Sequence, residues 1–127
     1  MAALYERLGG PLGIWTLVDD ALAAHRDNPT LNWRWRAHPG GSVLVETTKA
    51  RLRRTLGALT GGPERAAAAS LRETYGELAA TDLEFAAVVD DLLATVARYG
   101  LDAGTRAELE RRLVAGAGGF ESNCNRN

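Results

Sequence analysis

The chain contains a single cysteine, Cys124, among its 127 residues, so it cannot form an internal disulfide. It has no apolar run of the length that a membrane-spanning helix needs, about 18 residues, and the segment after Met1 does not resemble a signal peptide. The 15 basic residues nearly balance the 16 acidic ones, so bulk charge would not attract nucleic acid or an anionic membrane. These absences predict a protein of the reducing cytoplasm, with neither nucleic acid nor membrane as its partner.

Signals for β-strands are also scarce. Valine and isoleucine are few, and no segment alternates apolar and polar residues for long. Alanine and leucine are abundant, and the apolar residues, 46% of the chain, are enough for one core. We therefore predict an all-α fold with one folded domain over residues 1–115, followed by a glycine-rich hinge and polar tail over residues 116–127.

The first half of the chain contains two long helical patterns. One begins near Pro11 and runs to about His25, with a predicted inward face of Leu12, Trp15, Val18 and Leu22. The other covers about 43–59, with a predicted inward face of Val45, Leu52, Leu56 and Leu59. The proline, glycine and tryptophan residues between the two patterns predict a break in helical structure.

Capping signals punctuate the second half of the chain. Three segments fit S/T-x-x-E, the pattern of a helix-opening capping box: 70–73, 81–84 and 105–108. The second opens the strongest helix, in which the apolar residues follow i, i+3, i+4, i+7 spacing: Phe85, Val88, Val89, Leu92, Leu93 and Val96. Gly100 is placed to end this helix, and a last helix is predicted over about 105–115.

Several short motifs occur together along the chain. Tyr5 precedes Leu8-Gly9-Gly10, an acidic pair stands at Asp19-Asp20, and Asn28-Pro29 follows; later come "LGALTGGP", Thr81-Asp82-x-x-Phe85 and "LLATVARYGL". In this order they resemble the group I truncated haemoglobins over about 4–113. The resemblance implies a two-over-two helical sandwich, in which haem b normally lies between the helix pairs.

The positions that hold haem in that family carry other residues here. Counting from Gly61-Gly62-Pro63, the resemblance places Tyr75 where the iron-binding histidine would stand. The distal hydrogen-bonding positions fall at Leu22, Leu52 and Thr48, and Trp35 replaces the ring that packs on the haem. Oxygen chemistry needs an axial ligand and a distal donor. We therefore expect no bound cofactor, and neither oxygen storage nor oxidation of nitric oxide.

Two candidate iron ligands are weighed against this expectation. Tyr75 could bind ferric haem as a phenolate if Arg72 lowered its pKa from about 10, but a tyrosine packed into a shrunken pocket is favoured. His38 could swing over a haem from the lengthened loop, but an ordinary loop histidine is favoured. His25, at a helix end, is predicted to be a surface or capping residue.

Other residues offer weaker signals. The basic stretch 49–54 places Lys49 and Arg53 on one face, where they could meet haem propionates or a partner's phosphates; a solvated helix face is favoured. Trp15, at helical spacing, is predicted to be a core residue. No arrangement of residues indicates a catalytic site.

The C-terminal sequence "FESNCNRN" differs in composition from the rest of the chain. Cys124 is a reactive thiol if exposed, and small polar neighbours, Asn123 and Asn125, with Arg126, would let the tail extend into a partner's cleft. The arrangement resembles that of ribosomally made, post-translationally modified peptides.

Two hypotheses follow from these features. The favoured one is a non-enzymatic scaffold that presents this tail to a partner protein or modifying enzyme. The alternative is an atypical haem protein, a sensor or oxidoreductase, with Tyr75 or His38 on the iron.

Overall fold

The computed structural model describes residues 3–37, 41–62 and 70–117, and these ranges contain helices and no strand. The all-α class predicted from the sequence is therefore confirmed. The α-helices of these ranges are, in chain order, α1 (Leu4–Arg7), α2 (Gly10–Asp27), α3 (Pro29–Ala37), α4 (Gly41–Leu59), α5 (Leu71–Tyr75), α6 (Asp82–Ala97) and α7 (Ala103–Gly116). A 3-10 turn at Gly76–Ala79 joins α5 to α6. Within the same ranges, no helix is both long and apolar enough to cross a bilayer.

Helix α2 begins as the sequence predicts, with Pro11 in its first turn after Gly9, whose φ of 105° is left-handed. Its predicted inward face is partly wrong, because Leu12 is 71% exposed and Trp15 46% exposed. The buried face is instead Ile14, Leu17, Val18, Ala21, Leu22 and His25. This stripe is wide because α2 packs against both α4 and α6.

The predicted break after α2 is wrong, since α3 occupies much of it. Asn28 has extended backbone, and its side-chain Oδ1 accepts a hydrogen bond from the Thr30 amide at 3.0 Å. Pro29 then occupies the first helical position, where a missing N–H costs nothing. The same residues that favour a turn therefore start a helix here, and Leu31 and Trp35 point into the core.

The capping predictions are confirmed for two helices and wrong for one. Ser70 with Glu73, and Thr81 with Glu84, form complete capping boxes at α5 and α6. At α7, Asp102 is the N-cap, and its Oδ2 accepts a hydrogen bond from the Thr105 amide at 3.0 Å. An aspartate is at least as good a cap as a threonine, so the helix begins two residues earlier than predicted.

The helices pack around one apolar core. Helix α2 contacts α3, α4 and α6, α6 contacts α7, and α4 contacts α5 and α7. The predicted inward residues of α4, Val45, Leu52 and Leu56, are buried, while Leu59 is partly buried against the core. Gly100 has the predicted left-handed φ, 66°, after α6. Ala117, directly after α7, is also buried.

Candidate functional site

The residue that the resemblance places at the iron-binding position is buried in the core. Tyr75 closes the short helix α5, which its capping box at Ser70 holds in place. Its side chain is 1% exposed, and its hydroxyl oxygen lies 2.8 Å from Nε2 of His25 on α2. The ring of His25 meets the ring of Tyr75 edge-on, with centroids 5.2 Å apart.

His25 continues this contact to a third helix. The histidine is 0% exposed, so its predicted surface or capping role is wrong. Its Nδ1 lies 2.8 Å from Oδ2 of Asp91 on α6. Asn28, after α2, donates its side-chain amide to both Asp91 oxygens at 3.2 Å. We call Tyr75, His25, Asp91 and Asn28 the buried polar network.

The hydrogen-bond partners within the network indicate where its protons lie. A carboxylate only accepts hydrogen bonds, so we assign to His25 the tautomer with its proton on Nδ1, facing Asp91. Nε2 then accepts from the Tyr75 hydroxyl. Each buried polar group between Tyr75 and Asp91 is thereby satisfied, and three helices are joined through hydrogen bonds instead of apolar contact alone.

The order Tyr–His–Asp is that of a nucleophile, a general base and an orienting acid. Its surroundings oppose that use. Burial raises the pKa of Tyr75 well above its usual range, and the nearby Asp91 carboxylate raises it further. Because the hydroxyl is also enclosed, a substrate cannot reach it. The arrangement is therefore suited to holding helices together.

Arg72, the cation expected beside Tyr75, makes its hydrogen bonds elsewhere. Arg72 instead donates to Asp82 at 2.7 Å and to the Ala80 carbonyl at 3.3 Å, on the surface. The charged group that acts on Tyr75 is Asp91, which disfavours the phenolate. The prediction that Arg72 could lower the tyrosine pKa is wrong for this geometry.

The other predicted pocket residues lie in the same core. Leu22 on α2, and Thr48 and Leu52 on α4, are buried. Trp35 on α3 is buried too, with its ring 5.7 Å from that of His25. Its Nε1 donor has no hydrogen-bond partner among the residues that the structure describes. The predicted residues are thus buried here, and Trp35 lies next to the buried polar network.

These contacts do not fit a haem. An iron next to the Tyr75 oxygen would have to take the place of the His25 imidazole, which already lies 2.8 Å away. A porphyrin between α4 and α5 would have to separate Thr55 from Thr74, whose hydroxyl oxygens are 2.9 Å apart and buried. The resemblance implies a haem at this place, and direct side-chain hydrogen bonds lie on both sides of it.

The remaining predicted residues are outside this site. His38, Asn123, Cys124, Asn125 and Arg126 lie outside the described residues. Lys49 pairs with Asp19 at 3.2 Å, and Arg53 lies over the exposed Trp15 ring at 4.7 Å. Trp15 therefore covers an outer face, contrary to its predicted core role. In the described ranges, no group of His, Cys, Asp or Glu is arranged to bind a metal.

Sequence reasoning missed His25 and Asp91 as partners. The burial of His25 had a signal, because it follows Val18 by seven residues and Leu22 by three, on the buried face of α2. Its bond to Asp91 had none, since 66 residues separate the two positions. Local patterns show which side of a helix is buried but not which residue it will meet.

The sequence matches no protein-family model, and no curated protein matches it significantly. The likeness to truncated haemoglobins therefore rests on the motifs in the sequence and stays a prediction.

Proposed function

We propose that this protein is a non-enzymatic helical scaffold of the cytoplasm, with a two-over-two arrangement like that of truncated haemoglobins. Its haem position is filled by its own side chains. Its C-terminal tail, with Asn123, Cys124, Asn125 and Arg126, is presented to a partner protein or modifying enzyme. The observation that carries the proposal is the 2.8 Å bond between the Tyr75 hydroxyl and His25.

The packing of the helices supports the two-over-two part of the proposal. Helices α2 and α4 pack together, α6 and α7 pack together, and α2 lies against α6 while α4 touches α7. Two contacting pairs joined in this way are what a two-layer helical sandwich requires.

The loss of haem chemistry is supported by several positions at once. The residue at the iron position donates its hydroxyl to His25, and two of the distal positions, Leu22 and Leu52, are apolar and buried. A protein with these substitutions keeps a stable core without keeping a ligand for iron. Its remaining distinctive feature is the polar tail with the single thiol, which suits a reducing compartment.

Haemin titration tests the closed haem position. One equivalent of haemin is added to the unaltered chain, to Tyr75→Phe, to His38→Ala and to the matched control Tyr99→Phe. We expect no specific Soret shift in any of them. A sharp shift that disappears in Tyr75→Phe, together with a phenolate charge-transfer band, would assign the iron to Tyr75 and overturn the proposal. A shift lost only in His38→Ala would overturn it in favour of that histidine.

The tail is tested by mass spectrometry of the protein from its own cells. Trypsin cleaves after Arg112 and Arg126, so one peptide, 113–126, contains nearly all of the tail. We expect an added mass on Cys124 or a neighbour, or a co-purifying partner that is lost when residues 118–127 are deleted. An unmodified tail, with every co-purifying protein retained by the deletion variant, would contradict the proposal.

A further inference from the structure

An open cleft of about 580 Å³ lies on the surface between α6 and α7, and none of its lining residues belongs to the buried polar network. It is lined by Leu93 from α6 and by Glu110, Arg111, Val114 and Ala115 from α7. Leu93 and Val114 are only half-buried, and Ala115 is exposed. The middle of the cleft is therefore apolar, and its charged residues come from α7.

The charges around the cleft are unequally paired. Arg106 donates to Glu110 at 3.0 Å, and Arg112 donates to Glu108 at 3.0 Å. Arg111 is exposed and has no carboxylate partner within residues 3–37, 41–62 and 70–117. The cleft thus combines an apolar centre with one unneutralised positive charge, which suits an apolar side chain followed by an acidic one.

The chain itself supplies such a pair next to the cleft. Ten residues follow Ala117, and among them Phe120 is the only large apolar residue, with Glu121 directly after it. Three residues can span about 10 Å, whereas Val114 lies three residues, about 4.5 Å, before Ala117 along the helix axis. Gly118 and Gly119 allow the chain to reverse direction without steric cost.

We propose that Phe120 docks in the α6–α7 cleft, with Glu121 against Arg111. The free energy gained by burying one phenylalanine is no larger than the cost of ordering the few residues that must be held. The docked state is therefore reversible, and a partner can displace it. Docking holds Cys124 within a few residues' reach of α7, so a modifying enzyme would meet the tail beside the folded domain.

The docking itself needs no partner, and only its regulatory consequence rests on the proposed function. The test uses the single cysteine of the full chain. A nitroxide spin label is attached to Cys124, and the paramagnetic broadening of methyl signals is measured by NMR. We expect strong broadening at Leu93 and Val114 and little at Leu83, which is exposed at the far end of α6.

A covalent tether alone brings Cys124 near the end of α7, so the decisive comparison is Phe120→Ala. This variant should lose the broadening at Leu93, and the conservative variant Phe120→Leu should restore much of it. Broadening that is unchanged in Phe120→Ala overturns the docking. Broadening of an unlabelled Cys124→Ser chain mixed with labelled protein would also overturn it, since the occupant would then be a second copy.

The two proposals fail separately. Loss of docking in this experiment leaves the tail mass unchanged, whereas an unmodified tail leaves the broadening unchanged.

Discussion

At the scale of single residues, the buried polar network determines what the core can tolerate. The Tyr75 hydroxyl is the only partner of His25 Nε2 among the described residues, and both groups are enclosed. Tyr75→Phe removes the hydroxyl and leaves the histidine nitrogen buried without a partner. We expect the free energy of unfolding, measured by urea denaturation, to fall by about 1–3 kcal/mol.

Tyr99→Phe is a matched control for this substitution. It removes the same atom, which donates to Asp20 at 2.7 Å, but in a partly exposed place where water can replace the bond. Tyr99→Phe should therefore lower the free energy of unfolding by less than Tyr75→Phe does. The double variant His25→Leu with Tyr75→Phe should lose less than the sum of the single variants, because both polar partners are then removed together. Additive losses would contradict a direct bond.

The same tyrosine predicts a loss of stability in alkali. Burial, reinforced by Asp91, raises the pKa of Tyr75 in the folded state above the value of about 10 that it has when unfolded. The contribution of Tyr75 to the free energy of unfolding is therefore fully present below about pH 10. Above that pH the unfolded chain loses the phenol proton first, so the free energy of unfolding falls as pH rises.

Urea denaturation at several pH values between about 9 and 11 checks this prediction, with Tyr75→Phe as the comparison. The free energy of unfolding of Tyr75→Phe should fall less steeply with pH than that of the unaltered protein. The two slopes should differ by up to about 1.4 kcal/mol per pH unit. Tyr99 contributes to the decline in both proteins, because burial and the Asp20 carboxylate also raise its pKa. Equal slopes in the two proteins would mean that the pKa of Tyr75 is the same in the folded and the unfolded chain, which would contradict the prediction.

At the scale of the elements, one glycine determines how α1 and α2 meet. A Cβ at Gly13 would lie 1.8 Å from the Leu8 carbonyl oxygen, a backbone atom that cannot rotate away. Gly13→Ala should therefore destabilise the fold by about 1–3 kcal/mol. Gly104 in α7 has only an ordinary contact, 3.5 Å from Asp102 Oδ2, so Gly104→Ala should stabilise it by up to about 1 kcal/mol. Thermal denaturation of the two variants should shift in opposite directions.

The start of α6 adds a second prediction at this scale. Glu84 completes a capping box, and its two carboxylate oxygens share the hydrogen bond donated by Nε of Arg34 on α3, each at 2.9 Å. Burial opposes its ionisation, but the Thr81 amide and Arg34 outweigh that effect and hold its pKa below the usual value. Its contribution is present above the unfolded pKa of about 4.3 and is lost as pH falls through the lower, folded value.

Glu73 is a matched control, because it occupies the same position in the capping box of α5 but is exposed. Glu84→Gln should cost about 1.5–3 kcal/mol at pH 7, since it removes a charged acceptor from Arg34. Glu73→Gln should cost less. Between pH 5 and 3, the gap between unaltered protein and Glu84→Gln should narrow. A gap that stays constant would show that Arg34 does not depend on the carboxylate charge.

At the scale of the whole molecule, the features that the sequence predicts correctly are the local ones. The capping box at Thr81 and the apolar stripe from Phe85 to Val96 depend on residues a few positions apart, and both are present. Asn28-Pro29 is local but ambiguous, because the same pair can form a turn or start a helix. The sequence therefore shows where helices form better than it shows where they are interrupted.

The site depends on contacts that no local pattern contains. Tyr75 stands 50 residues from His25, and His25 stands 66 from Asp91. The resemblance pointed to Tyr75, but the hydrogen bond between its hydroxyl and His25 on α2 is visible only once the helices are assembled. Trp15 shows the same limit, since a small rotation of α2 decides whether it faces the core or Arg53.

The last prediction concerns how the first helix, α1, is held against the last, α7. Arg7 in α1 donates to the buried Thr105 hydroxyl at 3.2 Å and also pairs with Glu108, both in α7. Arg112, further along α7, donates to the Leu59 carbonyl at the end of α4, at 2.9 Å. Helix α1 is too short to be stable by itself, so we infer that the two contacts of Arg7 with α7 hold it in place.

Arg7→Ala should therefore lower the melting temperature more than Arg106→Ala. Arg106 makes an exposed pair with Glu110 within one helix, a type of contact that contributes little. Amide exchange should also rise at Tyr5, whose N–H donates to the Thr60 carbonyl at 2.9 Å, because α1 is released from its neighbours. Equal melting temperatures in the two variants, with Tyr5 still protected, would mean that α1 is held by its apolar side chains and not by Arg7.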